Sequence, residues 1–143
     1  MFEGFRSMLL ALAVSLTACA PAPAQHDVTS AVGEEDALEL ATSALSGLNE
    51  GGYDAWTARW SDELRSMIDE PTFLSVREQV LAASGRWESI DDQALVAADT
   101  EGYVRWTFDT TFELEPVTVW FAFAEDDVEV VGVMLESENL SGN

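Results

Sequence analysis

Apolar residues recur along the chain in two different periods. Leu38, Ala41, Leu45 and Leu48 are spaced by three and four, with Glu35, Glu39, Thr42, Ser46 and Asn49 opposite. That spacing predicts an amphipathic helix from Glu34 to the Gly51-Gly52 pair. Glu34, Glu35 and Asp36 fall in its first turn, where carboxylates complement the positive end of the helix dipole. A second short helix carries Tyr53, Trp56 and Trp60 on one side. Ser61 is placed to cap a third, from Asp62 to about Asp69, with Leu64, Met67 and Ile68 inward. Pro71 opens a fourth helix, which buries Phe73, Val76 and Val80 and stops at Gly85.

Beyond Gly85 the period falls to two. Val104, Trp106, Phe108, Thr110 and Phe112 alternate with Tyr103, Arg105, Thr107, Asp109 and Thr111. Val117, Val119, Phe121 and Phe123 alternate with Thr118, Trp120, Ala122 and Ala124. These read as half-buried antiparallel strands. A less regular strand is expected between about Arg86 and Ala98, and a last one between Val128 and Glu136. Turns fall at Thr100-Glu101-Gly102, Leu114-Glu115-Pro116 and Glu125-Asp126-Asp127. Helices followed by a meander predict an α+β fold, three to four helices packed on one side of a curved four-stranded antiparallel sheet. Keeping both apolar sets on one face gives a register of Phe112 with Val117, Phe108 with Phe121 and Trp106 with Phe123. A three-residue turn then sets Phe121 against Val131 and Val119 against Val133. It also lays Trp120 over Gly132, an aromatic–glycine pair.

The N-terminus follows neither period. Arg6 precedes an apolar run from Met8 to Ala18, too short for a spanning helix, which needs about 20 residues, and suited to a signal-peptide core. The run ends in Leu16-Thr17-Ala18-Cys19, which resembles the lipobox of prokaryotic lipoproteins. The resemblance implies cleavage before Cys19 and a thioether-linked diacylglycerol on its sulfur. Each buried methylene contributes about 0.8 kcal/mol, and two or three acyl chains hold a protein stably at a bilayer where one does not. Ala20 rather than Asp after the Cys implies the outer membrane in a Gram-negative cell. Pro21 and Pro23 then make a semi-extended tether. The expected organisation is a signal peptide over 1–18, the lipidated Cys19 and tether over 19–33, the α+β domain over 34–137 and a tail over 138–143.

Composition narrows the chemistry. The 143 residues include 27 Asp and Glu against 6 Arg and no Lys, a formal charge of −21, which repels phosphate backbones and excludes nucleic acid as a partner. At 48% hydrophobic the chain is apolar enough to fold despite that charge. One His and one Cys exclude disulfide scaffolds and Cys/His zinc sites. His26 sits in the tether and reads as a solvated linker residue. The clusters Glu34-Glu35-Asp36, Asp91-Asp92 and Glu125-Asp126-Asp127 lack the Asp-X-Asp-X-Asp-Gly calcium-loop pattern and read as solvated charge. No cofactor or metal is expected.

Several segments share an order with one family: Leu48-Asn49-Glu50-Gly51-Gly52-Tyr53-Asp54, Trp60-Ser61-Asp62-Glu63-Leu64-Arg65, Gly85-Arg86-Trp87-Glu88-Ser89-Ile90 and Val130-Val131-Gly132-Val133. In that order and spacing the chain resembles domain of unknown function 3887, within the nuclear transport factor 2-like (SnoaL-like) superfamily. Gly51-Gly52 stands where the family often has Gly-Asp, and Trp60 where it often has Phe. The resemblance covers about residues 34–136 and implies a cone-shaped fold with a cavity between helices and sheet. It implies no catalytic residue.

Trp56, Trp60, Trp106 and Phe108 are the candidates to line such a cavity, with simple core filling as the competing reading. Asp54 and Asp109 are the carboxylates open to a general-base role, although Asp54 reads as a turn residue and Asp109 as outward-facing. Tyr103, Arg105 and Trp120, with Thr107, form an aromatic and polar patch on the outer sheet face, the residue types of an interface. The expected protein is therefore a lipid-anchored module of the cell envelope that binds rather than catalyses. Its expected partners are the membrane through Cys19 and a second copy or an envelope protein through the sheet. The alternative is a small cavity enzyme of the isomerase, dehydratase or hydrolase type using a buried carboxylate.

Overall fold

The computed structural model describes residues 28–141, so Cys19, His26, the signal segment and most of the tether lie outside the described residues. Helix α1 (Glu34–Glu50) buries Ala37, Leu40, Ala41, Ala44, Leu45 and Leu48. Leu38, expected inward, is 40% exposed, and Asn49, expected outward, is buried. The buried stripe runs through Ala37, Leu40, Ala41, Ala44, Leu45 and Leu48, which leaves Leu38 on the outer side. Gly51 ends the helix at φ +79°, a left-handed conformation that costs glycine little, and its N–H reaches the Gly47 carbonyl.

Helix α2 (Tyr53–Trp56) is a single turn, and Trp60 lies beyond it in extended backbone. Helix α3 (Asp62–Met67) is capped by the Ser61 hydroxyl, which accepts from the Leu64 N–H at 3.2 Å. It stops short of Asp69 and buries Leu64, leaves Ile68 half-buried and exposes Met67 by 69%. Asp69 instead caps α4 (Glu70–Ser84), accepting from the Thr72 N–H at 3.0 Å. Phe73 and Val80 are buried on α4 as expected, but Val76 is exposed, at the rim of the cavity described below.

Strands β1 (Trp87–Ala97), β2 (Tyr103–Phe112), β3 (Pro116–Ala124) and β4 (Gly132–Glu136) form one antiparallel sheet in that order, and α5 (Glu138–Ser141) follows. The fold is thus α+β, with the helices α1–α4 ahead of a four-stranded meander. The inner face carries the expected apolar residues of β2 and β3, all buried, while irregularities between Trp87 and Ser89 and between Ile90 and Asp92 break the alternation of β1.

Both hairpins are two residues out of the expected register. Thr110 pairs with Val117, Phe108 with Val119, Trp106 with Phe121 and Val104 with Phe123. A slip of two keeps every side chain on its face, so alternation alone cannot distinguish the two pairings. Contacts outside the hairpin decide. Glu113 and Leu114 donate their N–H groups to the carbonyls of Arg86 and Ser84, both at 2.9 Å, which ties the β2–β3 loop to the α4–β1 junction.

In the last hairpin Phe121 pairs with Val133, Trp120 with Met134 and Ala122 with Gly132. Here residues 128–130 have left the sheet. Val130 bridges in parallel to Trp60, its N–H bonding the Arg59 carbonyl at 2.7 Å and its carbonyl accepting from the Ser61 N–H at 2.9 Å. Val131, expected to face the core, is consequently exposed. Trp120 is not opposite Gly132, yet its ring edge lies 3.8 Å from where a Cβ there would stand.

Packing extends past both expected ends of the domain. Val32 is buried, and its carbonyl accepts from the Trp106 indole Nε1–H at 3.1 Å. At the other end Leu140 of α5 packs against the core. No helix among the described residues is long and apolar enough to cross a membrane.

Candidate functional site

Trp56 stands at the centre of an aromatic cluster. Its ring lies 6.2 Å from Trp60, 6.0 Å from Phe73 and 6.4 Å from Phe121, tilted or edge-on as aromatic quadrupoles favour. The helical segments bring this cluster to the β4 edge of the sheet. There it leaves a cavity of about 260 Å³. Trp56, Trp60 and Ile68 form one wall, Phe73, Val76 and Val80 of α4 another, and Val133 and Leu135 of β4 a third. Leu140 of α5 contributes from the C-terminal side, and the one side-chain amide in the lining belongs to Gln79.

The four aromatic candidates therefore separate. Trp56 and Trp60 line this cavity, whereas Trp106 and Phe108 do not. Trp106 is committed to Val32 through its indole, and Phe108 stacks edge-on against Phe121 at 6.1 Å. Trp60 is 4% exposed and its indole Nε1–H is buried without a hydrogen-bond partner. A buried donor left unpaired carries a desolvation cost of about 1–3 kcal/mol.

No lining residue of the cavity is titratable. Asp54 and Asp109 are both exposed, and neither lines it. The acidic clusters are spread over the surface, and among the described residues no group of three or more His, Cys, Asp or Glu is placed to hold a metal ion. Three of their members serve the backbone and neighbouring hydroxyls, Asp92 by accepting from the Gln93 N–H at 2.9 Å. Asp127 accepts from the Val128 N–H at 2.6 Å, and Asp91 accepts from the Ser89 and Thr111 hydroxyls at 3.0 and 2.6 Å.

The structure brings Tyr103, Arg105 and Trp120 together. They share a groove of about 600 Å³ between the outer sheet face and α3, with Leu64 and Met67 on the helical side and Ala122 and Val131 on the sheet side. The Arg105 guanidinium lies over the Trp120 ring at 4.7 Å, a cation–π contact, and neither Arg105 Nε nor Trp120 Nε1 has a hydrogen-bond partner. Glu63 and Asp99 also border the groove.

Three polar devices that hold these walls in place have no periodic signature. Asn49 meets the start of β1 as a strand would: its Oδ1 accepts from the Trp87 N–H at 2.8 Å and its Nδ2 donates to the Trp87 carbonyl at 3.0 Å. Arg77 donates to the Leu48 and Asn49 carbonyls at 2.7 and 2.6 Å, satisfying the C-terminal end of α1. Glu115 gathers three donors: the Ser84 and Ser137 hydroxyls and the Asn139 N–H. Burial pushes its carboxyl up, but the bonds from Ser137, Ser84 and Asn139 outweigh that and hold it below its usual 4.5. The sequence signal that could have marked Asn49 was its place in the family-like Leu48-Asn49-Glu50-Gly51 segment; Arg77 and Glu115 had none.

Compared with known proteins, the chain matches no family model and no curated protein.

Proposed function

We propose that this protein is a lipid-anchored module of the cell envelope whose α+β domain binds a small ligand in the cavity beside Trp56 and Trp60. The observation that carries the reading is the lining: about 260 Å³ walled by aromatic and aliphatic side chains, with no acid or base among them. Ligand sites are concave and mostly apolar with a few convergent polar groups, whereas proton-transfer catalysis needs a titratable group within hydrogen-bond reach of the reacting atom. The lining favours binding over the carboxylate-enzyme alternative. The Leu16-Thr17-Ala18-Cys19 motif supports the anchor.

Membership of the nuclear transport factor 2-like superfamily, in the branch resembling domain of unknown function 3887, is part of the same proposal. It is supported by helices ahead of a four-stranded meander, the Gly51 helix stop, the Ser61 cap and Gly85 before β1. The outer groove is proposed as the contact surface for a second copy or another envelope protein, supported by the stacked Arg105–Trp120 pair and the exposed Met67.

The cavity reading is tested by native mass spectrometry of the protein purified from its own membranes. The expected result is a small co-purifying molecule that is absent from Val76→Trp, which fills the cavity from its exposed rim without entering the core. An adduct-free wild-type spectrum identical to that of the variant contradicts the reading.

A further inference from the structure

We infer that the cavity beside Trp56 is the inner half of a two-compartment site whose ligand is an uncharged amphiphile. Its alkyl tail, of about nine carbons, lies inside, and its hydrogen-bonding head group lies in the surface depression on the far side of Leu140. The inference rests on the reading of the domain as a binding module and names the ligand class of that site.

The two compartments share a wall. Gln79 of α4 and Leu140 of α5 line both the cavity and a more open depression completed by Ala82, Ala83, Leu114 and Asn139. Helix α4 runs past both. Phe73, Val76 and Val80 line the cavity, while Gln79, Ala82 and Ala83, spaced by three and one, line the depression. Leu140 is half-buried on a helix of four residues, none of them buried. That helix is held by the Glu115 carboxylate and by the Asn139 amide, which donates to the Ala83 carbonyl at 2.8 Å. Two side chains therefore separate the compartments.

The inner compartment sets the tail. About 260 Å³ at the ~30 Å³ a water occupies in the liquid holds roughly nine non-hydrogen atoms. Apart from Gln79 its walls are aromatic and aliphatic, which suits a hydrocarbon chain. The outer compartment sets the head. Neither lining contains Asp, Glu, Arg or His, so an anion finds no guanidinium there and a cation no carboxylate. The formal charge of −21 opposes an anion further. Gln79 is exposed, and among the described residues no hydrogen bond engages its side chain. Its amide offers both donors and an acceptor at the junction where tail meets head.

The experiment titrates the full-length ¹⁵N-labelled chain with butyl, hexyl, octyl, nonyl and dodecyl glucosides, below their micelle-forming concentrations, and follows binding by NMR. Affinity is expected to rise about fourfold per methylene up to the nonyl chain and to level off at dodecyl, which outgrows the cavity. Octyl glucoside is expected to shift the Trp56 and Trp60 indole resonances and the Ala83, Leu114 and Leu140 amides with one midpoint. Gln79→Met keeps the length of the side chain and removes its amide. It is expected to weaken octyl glucoside about two- to tenfold while the dependence on chain length persists. Octanoate and octylammonium are expected to bind more weakly than octyl glucoside.

Shifts confined to one compartment overturn the two-compartment site and leave the cavity reading standing when that compartment is the inner one. Unchanged affinity in Gln79→Met overturns the seat of the head group. Octanoate or octylammonium binding as tightly as octyl glucoside overturns its neutrality, and affinity still climbing from nonyl to dodecyl overturns the tail length. Absence of any shift at either compartment with every probe overturns the binding-module reading itself.

Discussion

Asn49 shows how much one amide does in this fold. It stands at the C-terminal end of α1 and supplies both a donor and an acceptor to Trp87, so a helix side chain completes the first rung of β1. Asn49→Ala leaves the Trp87 N–H and carbonyl without these partners, and the expected loss is about 2–3 kcal/mol by chemical denaturation. A loss under ~0.5 kcal/mol would show that water replaces the amide. Gly85 is the second position of this kind. At φ +83° and ψ −162° it occupies a region essentially closed to other residues, and an added Cβ would stand 2.7 Å from the Glu113 Cβ. Gly85→Ala is expected to cost at least about 2 kcal/mol; an unchanged denaturation midpoint contradicts it. Gly85 was legible as a helix stop because glycine advertises its backbone freedom. Asn49 was read onto the polar side of α1, because periodicity sorts residues by polarity and is blind to an amide buried for its hydrogen bonds.

Among the elements, the strands were the most readable and their pairing the least. Alternation placed Val104 to Phe112 and Val117 to Phe123 on the core face, since one misplaced step would expose the whole set. It carried no information about a slip of two, which depends on where the Glu113–Leu114 loop and Val130 are tied outside the sheet. The cavity was half legible: Trp56 and Trp60 were recognisable as bulky candidates, but Leu140 and Val76 join them only through tertiary packing.

The C-terminal element also gives a pH prediction. Glu115 holds α5 through Ser137 and Asn139 and ties it to α4 through Ser84, and its folded pKa lies below 4.5. A carboxyl depressed in the native state stabilises it above the unfolded pKa, and that contribution is lost as pH falls through the folded value. Protection of the Asn139 and Leu140 amides, relative to their intrinsic exchange rates at each pH, is therefore expected to fall below about pH 4.5 before the sheet opens. In Glu115→Gln exchange at these amides is expected to be fast already at pH 7, with no further step. Protection unchanged in the variant contradicts the role of the carboxylate.

For the whole molecule, charge and the proposed attachment are the properties to test. A formal charge of −21 over 143 residues makes the folded state repel itself. Screening shortens from ~10 Å at 0.1 M salt to ~3 Å at 1 M, so melting is expected to rise by about 4–8 °C between those conditions. A flat melting temperature contradicts that expectation. If the outer groove joins two copies, Trp120→Asp is expected to abolish self-association in sedimentation while the domain stays folded; an unchanged sedimentation profile contradicts it. The proposed function requires the domain to work tethered to a lipid surface through Cys19. Intact-mass spectrometry of the protein recovered from its native cells tests this most directly. The expected mass is that of a chain beginning at Cys19 and carrying a diacylglycerol, and a product that retains Met1 with a free Cys19 thiol would contradict the lipid anchor.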